Sequence, residues 1–132
     1  MNQVTPFVIT NYLNLFHPNI LEEMKRKMSA IDCMPHVLEK VINLSCVNFT
    51  DKWERRMVLI ASCLLLFTPE TIYANCLVRK GVASKIAESL GVSQQAVSKQ
   101  VAQSRYYYSR APWCREAVDK IVKEVRGGEV NG

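Results

Sequence analysis

Apolar residues recur at helical spacing along most of the chain and divide it into segments. Residues 1–16 are apolar and aromatic (Phe7, Val8, Ile9, Tyr12, Leu13, Leu15, Phe16) without a clear period, and read as a short helix. From Pro18, which suits a first helical turn, Ile20, Leu21, Met24, Met28 and Ile31 form one stripe, with Glu22, Glu23, Lys25 and Arg26 outside it. Glu22 and Arg26 have the spacing of an i,i+4 ion pair. Asp32-Cys33-Met34-Pro35 breaks this helix, and the next places Val37, Leu38, Val41, Ile42 and Cys46 inward. Asp51, with Glu54 three residues later, forms an N-terminal capping pattern. The helix it opens, 51–67, is apolar on every side from Met57 to Phe67. Such a helix lies at the centre of a core or against a partner. It is therefore the first candidate for a dimer interface as well as for a central helix.

Thr68-Pro69-Glu70 supplies an N-cap, a first-position proline and a first-turn acid. Ile72, Tyr73, Cys76 and Leu77 then recur at helical spacing as far as Gly81. This predicts a helix that supports the following segment and carries Arg79 and Lys80 at its end. Further on, Pro112 opens a last helix with Cys114, Val118, Ile121, Val122 and Val125 inward. Glu116–Lys120 and Asp119–Lys123 are spaced to pair outside, and Gly127-Gly128 is expected to end the helix.

Residues 82–102 carry the most specific pattern. Ala83, Ile86, Ala87 and Leu90 share one helix face; Gly91 follows, where a left-handed turn carries no steric penalty. Val92 is an apolar plug and Ser93 an N-cap for a second helix, about 93–103. In that helix Val97 and Val101 face inward, whereas Gln95, Ser98, Lys99 and Ala102 face outward with Gln94 at the edge. This is the pattern of a helix-turn-helix, whose second helix reads the DNA major groove.

The run I-A-E-S-L-G-V-S-Q-Q-A-V-S-K-Q-V within residues 82–102 resembles the helix-turn-helix of Cro-like phage repressors and their bacterial relatives. The resemblance rests on Ala87 at the helix crossing, Gly91 at the turn, and Ile86, Leu90, Val92 and Val97 as a small core. Gln100 departs from it, standing where many members carry an apolar residue, with Val101 next to it to take over the packing. Sigma-factor and winged-helix regulators carry similar runs. The resemblance implies double-stranded DNA as partner and a homodimer.

Charge follows the same map. Residues 79–115 hold seven basic side chains (Arg79, Lys80, Lys85, Lys99, Arg105, Arg110, Arg115) against one acid, Glu88, a local net charge of +6. The rest of the chain holds ten basic and eleven acidic residues, a net −1, so the whole excess of +5 surrounds the motif. Phosphate binding needs such a surface. Gln94, Gln95, Ser98 and Lys99 are the candidate base readers, since glutamine suits the adenine edge and lysine guanine. Arg79, Lys80, Lys85, Ser93, Arg105 and Arg110 are the candidate phosphate contacts. In Arg105-Tyr106-Tyr107-Tyr108-Ser109-Arg110, two tyrosines are expected to pack and one to be exposed.

Other chemistry is thinly represented. Cys33, Cys46, Cys63, Cys76 and Cys114 form no C-x-x-C pair, and His17 and His36 lie far from most of them, so no metal site or cofactor is expected. Most of the thiols are expected to be buried and free, as in a reducing cytoplasm. There is no H-E-x-x-H, phosphate-loop glycine run or G-x-S-x-G, and Asp32, Cys33 and His36 suit a helix terminus better than a nucleophile. The 11-residue apolar run 57–67 falls short of the ~20 residues that span a bilayer. No basic signal region opens the chain.

The sequence thus predicts an all-α multi-helix bundle: an N-terminal helical region, 1–67, for packing, dimerisation or partner binding, and a helix-turn-helix domain, 68–132. The function expected is that of a non-enzymatic, cytoplasmic, sequence-specific DNA-binding regulator without membrane attachment. Two alternatives stand beside it, a phage, plasmid or sigma-region-like component of a larger assembly and a protein-interaction module with a degenerate motif.

Overall fold

Each of the five prolines begins a helix, where its missing N–H costs nothing and its fixed φ is already helical. The computed structural model describes residues 5–131, with side chains except at Asn48 and 128–131. Within them the fold is all-α: α1 Pro6–Phe16, α2 Pro18–Met28, α3 Pro35–Asn48, α4 Lys52–Phe67, α5 Pro69–Tyr73, α6 Val82–Leu90, α7 Gln94–Arg110 and α8 Pro112–Asn131. The described residues include no strand. No helix among them is long and apolar enough to cross a membrane.

α4 is the axis of the fold. The Asp51 carboxylate caps it by accepting from the Glu54 amide at 2.9 Å, as the sequence pattern predicts. All eleven residues from Met57 to Phe67 are buried, and α3, α5, α7 and α8 all pack around the helix. Burying one large aliphatic side chain stabilises by about 1.5–3 kcal/mol, so α4 dominates the packing. It has no apolar face left for a second copy. The expected dimer interface on α4 is therefore corrected: its apolar surface is consumed inside one chain. Side chains from both sides of residues 67 and 68 meet in the core. One buried cluster takes side chains from α3, α4, α6, α7 and α8.

The predicted helix 68–81 is the main local misreading. Only α5 forms; Ala74 leaves helical geometry (φ −126°, ψ 10°) and Asn75 turns left-handed at φ 55°. Buried hydroxyls draw the following loop back: Thr71 Oγ1 donates to the Leu77 carbonyl (3.3 Å), and the Arg79 amide donates to Thr68 Oγ1 (3.3 Å). Leu77 is consequently 93 % exposed, and Tyr73 and Cys76 also face solvent; Ile72 alone of the expected stripe packs on the core. The helices beneath residues 82–102 are thus α4 under α7 and α3 under α6, not 68–81.

Smaller differences follow the same logic of shared burial. On α3, Ser45 is buried and Cys46 exposed, because Ser45 donates its hydroxyl to the Ile42 carbonyl at 2.8 Å. Only Cys63 and Cys114 are buried among the cysteines; Cys33 is half-buried, Cys46 and Cys76 exposed, and all five are free. On α2, Leu21 is buried, whereas Ile20 and Met28 are exposed. The salt bridge there is Glu23–Lys27 at 3.0 Å; the expected Glu22–Arg26 pair does not form among the described residues. α8 buries Cys114, Val118, Ile121 and Val125 as predicted, and Val122 is half-buried. It runs through Gly127 and Gly128 to Asn131 instead of ending there. Arg126 joins it to the N-terminal elements, its Nη2 donating to the carbonyls of Ser29 (2.8 Å), Lys27 (3.2 Å) and Leu65 (3.2 Å).

Candidate nucleic-acid interface

Two short-range features set α7 at a fixed angle to α6. Gly91 sits at φ 69°, ψ 32° and closes α6. The Val92 amide donates to the Ala87 carbonyl at 3.0 Å and the Gly91 amide to the Glu88 carbonyl at 3.3 Å, the paired bonds of a left-handed C-cap. Two residues on, Ser93 Oγ accepts from the Ala96 amide at 3.1 Å and starts α7. Val82, Ala83, Ile86 and Ala87 of α6 and Val97 of α7 are buried in one cluster, where α6 packs on α7 and α3 and α7 packs on α4; Leu90, Val92 and Val101 pack against the same cluster. The positions expected inward from the helical period are thus buried or packed on the core.

Gln100 is half-buried, and its Oε1 accepts from Arg56 Nη1 of α4 at 3.3 Å. The residue that departs from the Cro-like pattern therefore ties α7 to α4 by a polar bond, while Val101 supplies the apolar contact.

The outward face of α7 carries Gln94, Gln95, Ser98 and Lys99, all exposed. With Ser93 they line one open depression at the N-terminal end of the helix. Ser93 spends an acceptor on its cap but keeps its hydroxyl hydrogen. No carboxylate lines this surface. The helix, expected to end near 103, continues unbroken to Arg110. The exposed stripe therefore extends through Ala102 and Gln103 to Tyr106. Ala102 faces outward as expected, and Gln103 beside it is exposed too.

The basic residues divide by environment. Lys80, Lys85 and Lys99 are exposed and without a salt-bridge partner among the described residues. Arg79 is engaged instead by Glu70, with Nε on Oε1 and Nη2 on Oε2 at 3.1 Å. The guanidinium holds the Glu70 carboxyl below the usual carboxylate range, and the carboxylate raises the Arg79 pKa in turn. Arg79 is thus a compensated charge, unlike the open phosphate contact expected of it. Arg105 is half-buried with its Nε buried and unpartnered by protein, so only part of its guanidinium reaches the surface. Arg110 lies over the Tyr106 ring at 4.8 Å. Arg115 caps α7, its Nε donating to the Tyr108 carbonyl at 3.1 Å and its Nη2 to that of Ser109.

The tyrosines separate as expected. Tyr106 is 52 % exposed, whereas Tyr107 and Tyr108 are half-buried. Tyr107 meets Trp53 edge-on at 4.8 Å and Trp113 at 5.8 Å, and Phe49 meets Trp113 at 5.9 Å. Tyr108 Oη donates to Asp119 Oδ1 at 2.7 Å. Burial, then this hydrogen bond, pushes the phenol's pKa well up. Asp119 is thereby committed to Tyr108, and the expected Asp119–Lys123 and Glu116–Lys120 pairs do not form among the described residues.

Among the described residues no three His, Cys, Asp or Glu side chains gather where a metal ion could bind. Comparison with protein-family models, with curated proteins and with solved structures finds no match to the chain.

Proposed function

We propose that the chain binds double-stranded DNA sequence-specifically, with the N-terminal half of α7 in the major groove, as a small cytoplasmic transcriptional regulator. The observation that carries this reading is that Ser93, Gln94, Gln95, Ser98 and Lys99 line one open depression, on a surface without carboxylates and at a helix N-terminus. All five are side-chain types that can read base edges, and the helix N-terminus itself favours phosphate. Lys80 and Lys85, exposed at and within α6, stand ready for backbone contacts. Arg79 joins them only by exchanging Glu70 for a phosphate.

Titration of random duplex DNA at rising salt tests the binding mode. Three to five phosphate contacts predict a slope of log affinity on log salt near −0.9 for each contact. Absence of duplex binding even at low salt would sink the proposal. Selection of bound sequences tests the reading helix: Gln94→Ala with Lys99→Ala loses discrimination among sites while helical content is kept. Unchanged selected sites in that variant would remove α7 from the role.

A further inference from the structure

α1 contains no buried residue. Phe7, Val8, Ile9, Tyr12, Leu15 and Phe16 are each 47–74 % exposed. All but Phe7 fall on one face, because 8, 12 and 15 and 9 and 16 repeat at helical spacing. Thr10, Asn11 and Asn14 make the opposite edge, and Thr10 is turned back on its own helix, donating to the Pro6 carbonyl at 2.9 Å. α1 packs along α2 and makes no comparable contact with any other helix. Two 11-residue helices that bury only Leu21 between them are marginal on their own. Monomeric proteins seldom leave so large an apolar patch in water.

Two properties specify what covers it. The first is charge: residues 2–21 contain no Asp, Glu, Lys or Arg. A helix that lies on a lipid surface carries lysine or arginine on its polar face, and α1 has none. A charged partner would find no counter-charge there, whereas an identical face meets no repulsion. The second is area. At ~150–250 Å² for a large aromatic side chain, the open part of the five residues on that face amounts to on the order of 550 Å², about two thirds of the ~800 Å² that each partner contributes to a standard interface.

We infer that α1 is the self-association element of this chain, and that its occupant is the α1 of a second copy. The two helices run antiparallel about a two-fold axis near Tyr12, the middle of the stripe. An isologous contact of this kind requires one self-complementary patch, which is what α1 presents. It takes the place of the α4 interface that burial excludes, and it places the two α7 helices under one two-fold axis. The inference stands independently of DNA binding.

Sedimentation of the full chain at micromolar concentration provides the test. Wild type is expected to be a dimer, and Tyr12→Glu and Tyr12→Lys each a monomer whose core keeps its thermal unfolding transition, since Tyr12 supports no core. An equimolar mixture of the two variants restores a dimer, because opposite charges then face each other across the axis. A monomeric wild type, variants that remain dimeric, or a mixture that stays monomeric overturns the inference. A monomeric wild type that co-sediments with phosphatidylcholine vesicles assigns the face to lipid instead. Duplex binding by the Tyr12→Glu monomer at low salt reports on α7 separately: its absence together with intact dimers in wild type counts against the DNA reading alone.

Discussion

Arg56 Nη1 donates to Gln100 Oε1 at 3.3 Å, joining α4 to α7 at the residue next to exposed Lys99. Both partners are half-buried, so water competes weakly for the bond. It is the one polar side-chain link between the central helix and the candidate reading helix among the described residues. Gln100→Ala is expected to cost about 1 kcal/mol, the usual net value of a hydrogen bond. A double-mutant cycle with Arg56→Ala in urea denaturation should show a coupling of about 0.5–1.5 kcal/mol. Strict additivity would mean that the bond orders nothing.

Gly91 and Gly127 make an opposed pair. A Cβ would meet nothing within 4 Å at either, so sterics with neighbours do not decide the outcome. Backbone geometry does. At φ 69°, Gly91→Ala is expected to destabilise by about 1–2 kcal/mol. Gly127 lies within α8, where Gly127→Ala is expected to stabilise by about 0.5–1 kcal/mol. Thermal unfolding of the two variants should shift the midpoint in opposite directions.

The Glu70–Arg79 pair gives a pH dependence of definite sign. Arg79 lowers the Glu70 pKa in the folded chain below its unfolded value of about 4.3. The stabilisation is therefore present above that value and is lost as pH falls through the lowered folded one. Glu70→Gln should flatten the acid side of the stability curve. If DNA binds as proposed, the same variant frees Arg79 and raises duplex affinity, with roughly one more phosphate in the salt slope. An unchanged slope would leave Arg79 out of the interface.

Thiol reactivity should divide the cysteines by burial. Burial raises the Cys63 thiol pKa strongly and pushes that of Cys114 up to about 11. At mildly alkaline pH their thiolate fractions are small, and the thiolate is the nucleophile. Iodoacetamide is expected to modify exposed Cys46 and Cys76 in the folded chain, and Cys63 and Cys114 only after denaturation. Peptide mass spectrometry reads the result; early labelling of Cys63 would mean that α4 opens locally.

The elements that local rules define were legible in the sequence. Asp51, Ser93 and Gly91 act through hydrogen bonds and dihedrals within four residues of themselves, and each does in the structure what its pattern predicts. The outward placement of Gln94, Gln95, Ser98 and Lys99 followed from helical period alone. What stayed hidden depends on partners distant in sequence. Nothing near Cys76 or Leu77 announces that Thr68 and Thr71 will draw their loop back and expose them. Nor does an all-apolar helix reveal whether its neighbours are its own chain or another, which is how α4 came to suggest an interface. Arg79 and Arg105 looked like free cations, because Glu70 lies nine residues from one and the burial of the other is set by tertiary packing.

Trp53 and Trp113 are the only tryptophans of the chain, and they stand 6.4 Å apart beside Tyr107. That corner joins the start of α4, the end of α7 and the start of α8. Tryptophan emission is therefore a built-in optical gauge of one joint. It registers the far end of the proposed reading helix lifting from α4, while detachment of the α1–α2 hairpin passes unseen. A helical signal lost with emission unchanged would identify the hairpin as the first part to leave.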